Sequence, residues 1–152
     1  MEITTKSPAE TKAVGEKIAA DLAVSHQSLV IGLVGDLGSG KTTFVQGFAQ
    51  GLGIKSRIIS PTFILMRKYD LPISHQSLTI NHFYHIDLYR LEENIEEEVR
   101  NLGIDEVLSD PKNIVVIEWA EKIKDMIPLD AIWINFEVID ETVRGIKISR
   151  EL

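Results

Sequence analysis

The chain has 152 residues, of which 44% are hydrophobic and 26% are charged, and its net charge is −7. This length and balance predict one globular domain over residues 1–152, and they exclude a wholly disordered chain. The acidic excess argues against broad binding to a nucleic-acid backbone, so we expect no DNA partner. The chain has no cysteine, which excludes disulfides, thiol catalysis and thiolate metal sites. Because no long apolar run or secretory leader is visible, we expect a cytoplasmic protein without membrane contact.

The first part of the chain alternates between helix and strand patterns. Ser7, Pro8 and Glu10 form a helix-start signature, and apolar residues at every fourth position then predict a helix over residues 8–24. The continuous apolar run 29–34 is typical of a strand buried on both faces. The next predicted elements are a helix at 42–52, ended by Gly53, and strand at 58–59 and 62–69, interrupted by Ser60-Pro61.

The second part predicts more strands and two short helices. A polar turn at 70–78 separates residues 62–69 from strand-like residues 78–89, which predicts a β-hairpin with a long tip. The remaining elements are an acidic helix at 91–102, a buried strand at 114–117, a short helix at 120–126, and an antiparallel pair at 131–139 and 143–150. Buried strands joined by helices predict an α/β fold: a mostly parallel central sheet with added antiparallel strands and flanking helices.

A phosphate-binding motif follows the first buried strand. Residues 35–42 read Gly-Asp-Leu-Gly-Ser-Gly-Lys-Thr and match G-x-x-x-x-G-K-[ST] in full. Gly35, Gly38 and Gly40 would let the backbone approach phosphate oxygens, and the following helix start favours negative charge. Lys41 would reach the β- and γ-phosphates and Thr42 would bind Mg²⁺. We therefore predict a P-loop NTPase-like domain rather than a glycine-rich turn with an exposed lysine.

Two carboxylates are candidates for organising the metal and the attacking water. Glu118 ends the buried strand 114–117, at the sheet edge where ligands bind in open α/β sheets. Asp87 ends a more mixed strand, which is a weaker signal. Each has a structural alternative, since Asp87 could cap the segment after it and Glu118 could cap a helix over 119–126. From the strand context we favour Glu118 for a role around the reacting phosphates and leave Asp87 open between the two roles.

Ser60-Pro61-Thr62 lies where many P-loop proteins place a sensor of the γ-phosphate. The hydroxyls of Ser60 and Thr62 could contact phosphate or water. A strand bulge at Pro61 explains the same residues without any ligand, and the pattern alone slightly favours that explanation.

Sequence motifs favour ATP over GTP, because neither N-K-x-D nor D-x-x-G occurs in the chain. A small-molecule kinase is one alternative, although no arginine-dense lid segment is visible. A nucleotide-dependent binding module with little hydrolysis is another. An ATPase that works through a partner needs neither a lid nor a second substrate pocket, which suits a chain of this length.

Four segments taken together resemble the TsaE (formerly YjeE) family, the bacterial ATPases of tRNA threonylcarbamoyladenosine (t⁶A) biosynthesis. The segments are residues 35–44, Ser60-Pro61-Thr62-Phe63, His85 to Leu91 (His-Ile-Asp-Leu-Tyr-Arg-Leu), and Ile117-Glu118-Trp119. The resemblance covers roughly residues 5–150. The P-loop alone is generic, whereas the S-P-T and D-L-Y-R segments in this order are specific. A tip at residues 70–80 looks longer than is typical of the family.

The resemblance implies an ATPase of low intrinsic activity that joins TsaD and TsaB, the pair that modifies tRNA, and that meets tRNA only indirectly or weakly. It implies that Gly38, Ser39, Gly40, Lys41, Thr42 and Thr43 bind the phosphates of ATP. It also implies that Thr42 and Glu118 hold Mg²⁺, that Asp87 is a Walker-B-type aspartate, and that Ser60 and Thr62 belong to a switch-like loop. Glu10 or Thr11 would contact the adenosine part.

Overall fold

The computed structural model describes residues 1–23, 29–59, 65–72 and 80–150. Its strands are β1 (Glu2–Thr5), β2 (Leu29–Val34), β3 (Met66–Asp70), β4 (His82–Asp87), β5 (Asn113–Glu118), β6 (Ile132–Val138) and β7 (Arg144–Ser149). Its helices are α1 (Pro8–Ala23), α2 (Lys41–Gly51), α3 (Ile95–Asn101) and α4 (Ile104–Ser109), with a 3₁₀ helix at Ala120–Met126.

Within the described ranges, seven strands form one sheet in the order β1-β7-β6-β2-β5-β4-β3. The central strands β6, β2, β5 and β4 run parallel to one another. The outer strands β7, β1 and β3 pair antiparallel with their neighbours. This arrangement confirms the predicted α/β fold class and the two predicted antiparallel pairs.

Each face of the sheet carries its own apolar layer. The core on one face contains Phe44 and Phe48 of α2, whereas the core on the other contains Val99 of α3 and Ile104 of α4. Neighbouring residues of β5 alternate between the two layers, since Val116 lies on the α2 side and Ile117 on the other. This alternation decides which face each polar residue at the strand ends occupies. None of the helices in the described ranges is long and apolar enough to cross a membrane.

Residues 58–59 do not form the predicted strand. Ile58 is buried in the α2-side core, while Ile59 is 52% exposed. The apolar pair therefore reflects core packing by a connecting segment and not a ladder of strand hydrogen bonds. The strand predicted after it is β3, which starts at Met66 and pairs with β4 as the predicted hairpin. Residues 73–79 of the hairpin tip lie outside the described ranges.

The acidic helix predicted at 91–102 is shorter than expected and is followed by a second helix. Helix α3 begins only at Ile95, because Asn94 takes a left-handed conformation with φ of 49°. Gly103, with φ of 74°, ends this segment, and α4 starts directly after it. The short strand β1 was also not predicted from the sequence. Its four residues pair with β7 at the sheet edge, a long-range contact that a local pattern does not reveal.

Candidate functional site

The loop between β2 and α2 has the backbone form that the glycine spacing predicts. Gly38 and Gly40 have φ values of 79° and 102°, in the region that favours glycine. At Gly35, where φ is 151°, a Cβ atom would lie 2.6 Å from the carbonyl oxygen of Phe136. The loop thus turns sharply from a buried strand into the start of α2, where backbone N–H groups and the helix dipole favour an anion.

Lys41, the first residue of α2, lies folded back over this loop. Its Nζ donates hydrogen bonds to the carbonyl oxygens of Gly35 and Asp36, the latter at 2.9 Å, and lies 4.4 Å from the centre of the Trp119 ring. Burial lowers the pKa of Lys41, and the carboxylates of Glu118, Glu121, Asp87 and Asp36 oppose that shift. A buried ammonium held by backbone carbonyls can exchange those weak acceptors for phosphate oxygens.

Glu118 lies at the end of β5 and reaches the first turn of α2. Thr42 Oγ1 donates a hydrogen bond to Glu118 Oε1 at 2.8 Å. The other carboxylate oxygen, Oε2, lies 2.6 Å from His85 Nε2 on β4. Glu118 is 3% exposed. These two contacts direct the carboxylate toward the loop, so Glu118 does not act as the simple helix cap that the sequence left open.

Asp87 lies beside Glu118, because β4 and β5 pair in parallel with these two residues in register. It is 4% exposed. Its Oδ1 accepts the backbone N–H of Tyr89 at 3.0 Å, which is the capping contact considered as its structural alternative. Asp87 also lines a cavity of about 340 Å³ together with Gly38, Lys41, Thr42, Glu118 and Trp119. The residue therefore holds the turn after β4 and faces the loop cavity as well.

Trp119 follows Glu118 in a strained conformation. Its φ of 60° is unusual for a bulky residue, and its ring packs against that of Tyr89 with centroids 5.3 Å apart and planes tilted by 40°. Lys122 ties the same two segments together, since its Nζ donates hydrogen bonds to the carbonyls of Leu88, Tyr89 and Leu91. Backbone strain of this kind costs about 1–3 kcal/mol and persists only where surrounding contacts hold it. Here those contacts hold the rings of Trp119 and Tyr89 at the loop cavity, which both residues line.

A second cavity of about 230 Å³ adjoins the other side of the loop at Gly38 and Gly40. Thr11 of α1 lines it and is 2% exposed, with its hydroxyl 2.7 Å from that of Thr5. Glu10 is exposed, and its carboxylate accepts the N–H of Lys6 at 2.7 Å. Of the two first-helix candidates for a nucleoside contact, Thr11 is the one that faces this cavity.

The candidates Ser60 and Thr62 lie outside the described ranges. A larger cleft, of about 730 Å³, lies away from the phosphate loop, between α1, α2 and residues 53–58. It has exposed lysine and glutamine side chains but lacks a carboxylate–hydroxyl pair at a strand end. The chemistry of the side chains therefore places the candidate site at the loop cavity of about 340 Å³ that Thr42, Asp87 and Glu118 line.

The oxygen donors at this cavity suit a magnesium ion. Thr42 and Glu118 place a hydroxyl and a carboxylate oxygen 2.8 Å apart, and hard oxygen ligands are what Mg²⁺ prefers. Among the described residues, no group of three or more His, Asp or Glu side chains could hold a metal ion. In nucleotide enzymes Mg²⁺ is usually held by one or two protein ligands together with substrate phosphates and water.

Three residues of the site were not singled out as functional by the sequence pattern. His85 contacts Glu118 across two strands, and Arg144 on β7 donates a hydrogen bond to the carbonyl of Gly38 at 3.2 Å. Glu121 follows β5, and burial raises the pKa of its carboxyl group. A signal existed for His85, because it stands two residues before Asp87 and must share its face of the strand. Arg144 is 106 positions from Gly38, and no local pattern links them.

The strand–loop–helix geometry and the carboxylates at the neighbouring strand ends define an α/β protein of the P-loop class. The family model of the threonylcarbamoyl adenosine biosynthesis protein TsaE matches residues 5–146. The chain therefore belongs to the TsaE family. This family assignment confirms the resemblance seen in the sequence motifs.

Individual relatives agree with the family assignment. The tRNA threonylcarbamoyladenosine biosynthesis protein TsaE of Bacillus subtilis (strain 168) is 38% identical over 148 residues, which cover 95% of this chain and 82% of that protein. The protein of the same name from Rickettsia bellii (strain RML369-C) is 38% identical, with 95% and 92% covered. The crystal structure of Bacillus subtilis YdiB superposes with a TM-score of 0.72 and 31% identity, over 97% of this chain and 83% of that one.

Proposed function

We propose that this chain binds and hydrolyses ATP with Mg²⁺, as the ATPase that works with the TsaB and TsaD pair in t⁶A modification of tRNA. The observation that carries the proposal is the contact between Thr42 and Glu118 at the mouth of a glycine-rich loop, next to Lys41. A hydroxyl, a carboxylate and an ammonium in this arrangement are the parts that P-loop NTPases use for phosphoryl transfer to water. Membership of the TsaE family supplies the link to t⁶A biosynthesis.

The triphosphate would lie along residues 38–43. Lys41 leaves the carbonyls of Gly35 and Asp36 and binds the β- and γ-phosphates, while backbone N–H groups of the loop and of Thr43 bind the remaining oxygens. Thr42 and Glu118 would hold Mg²⁺, which when bound would neutralise charge on the phosphate oxygens. Asp87, beside Glu118 in the neighbouring strand, would orient the attacking water and accept its proton. The water oxygen then bonds to the γ-phosphorus, and the bond from that phosphorus to the β–γ bridging oxygen breaks, which releases ADP.

The adenosine part of ATP would occupy the second cavity, the one of about 230 Å³ that Thr11 lines on the other side of the loop. Gly38 and Gly40 line both cavities, so one extended nucleotide can lie across them. Thr11 and Arg144 would then face the nucleoside, whereas Glu10 does not line this cavity. The assignment of ATP rather than GTP rests on the missing guanine-recognition motifs in the sequence.

Steady-state ATP hydrolysis tests this proposal, measured for the chain alone and with added TsaB and TsaD. The Lys41→Ala variant serves as the blank, and Lys55→Ala, which removes an exposed lysine, is the matched control. We expect low activity alone and a clear rise when the pair is present. Activity that is indifferent to the pair would contradict the coupling to t⁶A modification, and transfer of phosphate to a small acceptor would favour a kinase instead.

A further inference from the structure

His85 is a fully buried polar residue that the proposed steps do not use. It lies on β4 and is 0% exposed. Its Nε2 is 2.6 Å from Glu118 Oε2, and a carboxylate only accepts hydrogen bonds, so Nε2 carries the proton and donates it. The other ring nitrogen, Nδ1, is buried and has no hydrogen-bond partner among the described residues.

This arrangement is a costly way to fill space in a core. Burying a polar nitrogen without a partner is unfavourable, whereas an apolar side chain of similar size would bring no unpaired nitrogen of its own. The neighbours of His85 on the same face of β4 and β5, Phe83 and Val116, are indeed apolar core residues. The contact with Glu118 is therefore the feature that distinguishes a histidine from an apolar residue at this position.

The contact also completes the fixation of Glu118. Thr42 holds Oε1 at 2.8 Å and His85 holds Oε2 at 2.6 Å, so both oxygens of one carboxylate are held by side chains from different elements. A glutamate has several rotatable bonds, and a carboxylate held at only one oxygen can still rotate about its last bond. With both oxygens held, Oε1 stays beside the Thr42 hydroxyl.

We infer that His85 is a positioning residue that fixes Glu118 so that Oε1 and the Thr42 hydroxyl face the same magnesium ion. The inference rests on the proposed nucleotide site, since it concerns how that site holds its metal. Residues that orient a metal ligand commonly change metal affinity about 10–100-fold when they are replaced. His85 would thus set the affinity for Mg²⁺ and have little effect on binding of the nucleotide without metal.

Two amide variants distinguish the effect of a donor that reaches Glu118 from the effect of a polar side chain as such. In His85→Gln, the amide nitrogen reaches the position of Nε2 and can still donate to Glu118. In His85→Asn, it stops at the position of Nδ1, which is two bonds from Nε2 through Cε1 and so too far from Glu118 for the contact. The measurement is binding of a fluorescent ADP analogue, titrated with Mg²⁺ and repeated in EDTA. For His85→Asn we expect a half-saturating Mg²⁺ concentration at least about tenfold higher than in the wild type. For His85→Gln we expect a rise of no more than about threefold, with EDTA affinities unchanged in both.

Two further variants deal with loss of stability. His85→Leu fills the space without a donor and should reproduce the loss of Mg²⁺ affinity, which keeps the comparison with His85→Gln decisive should His85→Asn not fold. Phe83→Leu lies on the same face of the same strand, is fully buried, and should leave the Mg²⁺ dependence unchanged. It reports what weaker packing of β4 does by itself.

The inference fails if the donor-less variants show the Mg²⁺ dependence of the wild type. It also fails if they lose affinity equally with Mg²⁺ and in EDTA, or if Phe83→Leu reproduces their behaviour. A wild-type chain whose ADP binding ignores Mg²⁺ would instead contradict the proposed nucleotide site itself, so the two failures are distinguishable.

Discussion

The first turn of α2 and the rest of the same helix are built in opposite ways. The first turn starts after a glycine in the left-handed region and carries a buried lysine and a hydroxyl that contacts Glu118. The later turns pack against α1 so closely that a Cβ atom at Gly47 would lie 1.9 Å from the carbonyl oxygen of Lys12. One helix therefore places polar atoms for chemistry at its start and tight backbone packing along its length. Substitutions in the two regions should separate loss of function from loss of stability.

Replacement of Lys41 by alanine should have the largest effect. It removes the ammonium that would bind the β- and γ-phosphates, and removal of one charge-stabilising donor commonly lowers turnover by up to about a thousandfold. The melting temperature should change little, because loss of a desolvated charge offsets loss of its hydrogen bonds. Initial rates of ATP hydrolysis and thermal melts check this. Turnover equal to that of the wild type would reassign the loop to a structural role.

Replacement of Asp87 by alanine should affect turnover more than binding. Orientation of the attacking water matters chiefly in the transition state, and loss of a positioned base costs about a hundredfold or more. We expect hydrolysis to fall to that extent while the dissociation constant for ATP–Mg changes by less than about threefold. The pairing of kinetics with calorimetric titration measures both quantities. A defect confined to binding would leave Asp87 as the cap of the turn at Tyr89.

Replacement of Gly47 by alanine should lower stability and spare the site. Alanine favours a helix over glycine by about 1 kcal/mol, but here its methyl group would meet a backbone carbonyl that cannot move cheaply. We expect a net loss of about 1–3 kcal/mol in the free energy of unfolding. Denaturant unfolding measures it, with Gln50→Ala on the exposed side of α2 as the control. An unchanged midpoint would show that α1 and α2 separate more easily than their contacts indicate.

Replacement of Glu121 by glutamine should have the smallest effect, a change in the melting temperature that depends on pH. Burial raises the pKa of its carboxyl group above the ordinary 4.5, and its Oε2 has no hydrogen-bond partner among the described residues. The folded state thus binds the proton more tightly than the unfolded state, so this group's contribution to stability falls as the pH rises from 4.5 through the raised pKa. Glu121→Gln should therefore raise the melting temperature at about pH 7.

The pH dependence of this gain is the sharper test. Below the ordinary pKa, wild type and Glu121→Gln should melt at closely similar temperatures, because the wild-type carboxyl is then neutral in both states. The exposed Glu97, changed to glutamine, is the control. A gain of the same size at every pH would mean that the lost charge is not its cause.

The parts of the site that follow one another along the chain were predictable from sequence. The loop at residues 35–42 depends on local glycine spacing. Glu118 directly follows the apolar strand predicted at 114–117, whereas the more mixed strand before Asp87 gave a weaker signal. The parts that depend on which strands are neighbours were not predictable. His85 meets Glu118 only because β4 lies beside β5, and Arg144 meets the loop only because β7 returns beside β6.

The fold shows the same division. The helix and strand around the phosphate loop were predicted to within one residue at each end, since hydrophobic periodicity and glycine punctuation act locally. Strand β1 depends on pairing with β7 at the far end of the chain. The late start of α3 depends on the left-handed Asn94, whose conformation a helical pattern does not indicate.

The Mg²⁺ dependence of nucleotide binding to Glu118→Ala tests the central claim most directly. Calorimetric titration with ATP, with Mg²⁺ and in EDTA, should show a loss of at least about tenfold with the metal and little change without it. Glu97→Ala removes an exposed carboxylate and should match the wild type in both conditions. Equal losses with and without Mg²⁺ would contradict the claim that Glu118 and Thr42 hold the metal of a nucleotide site.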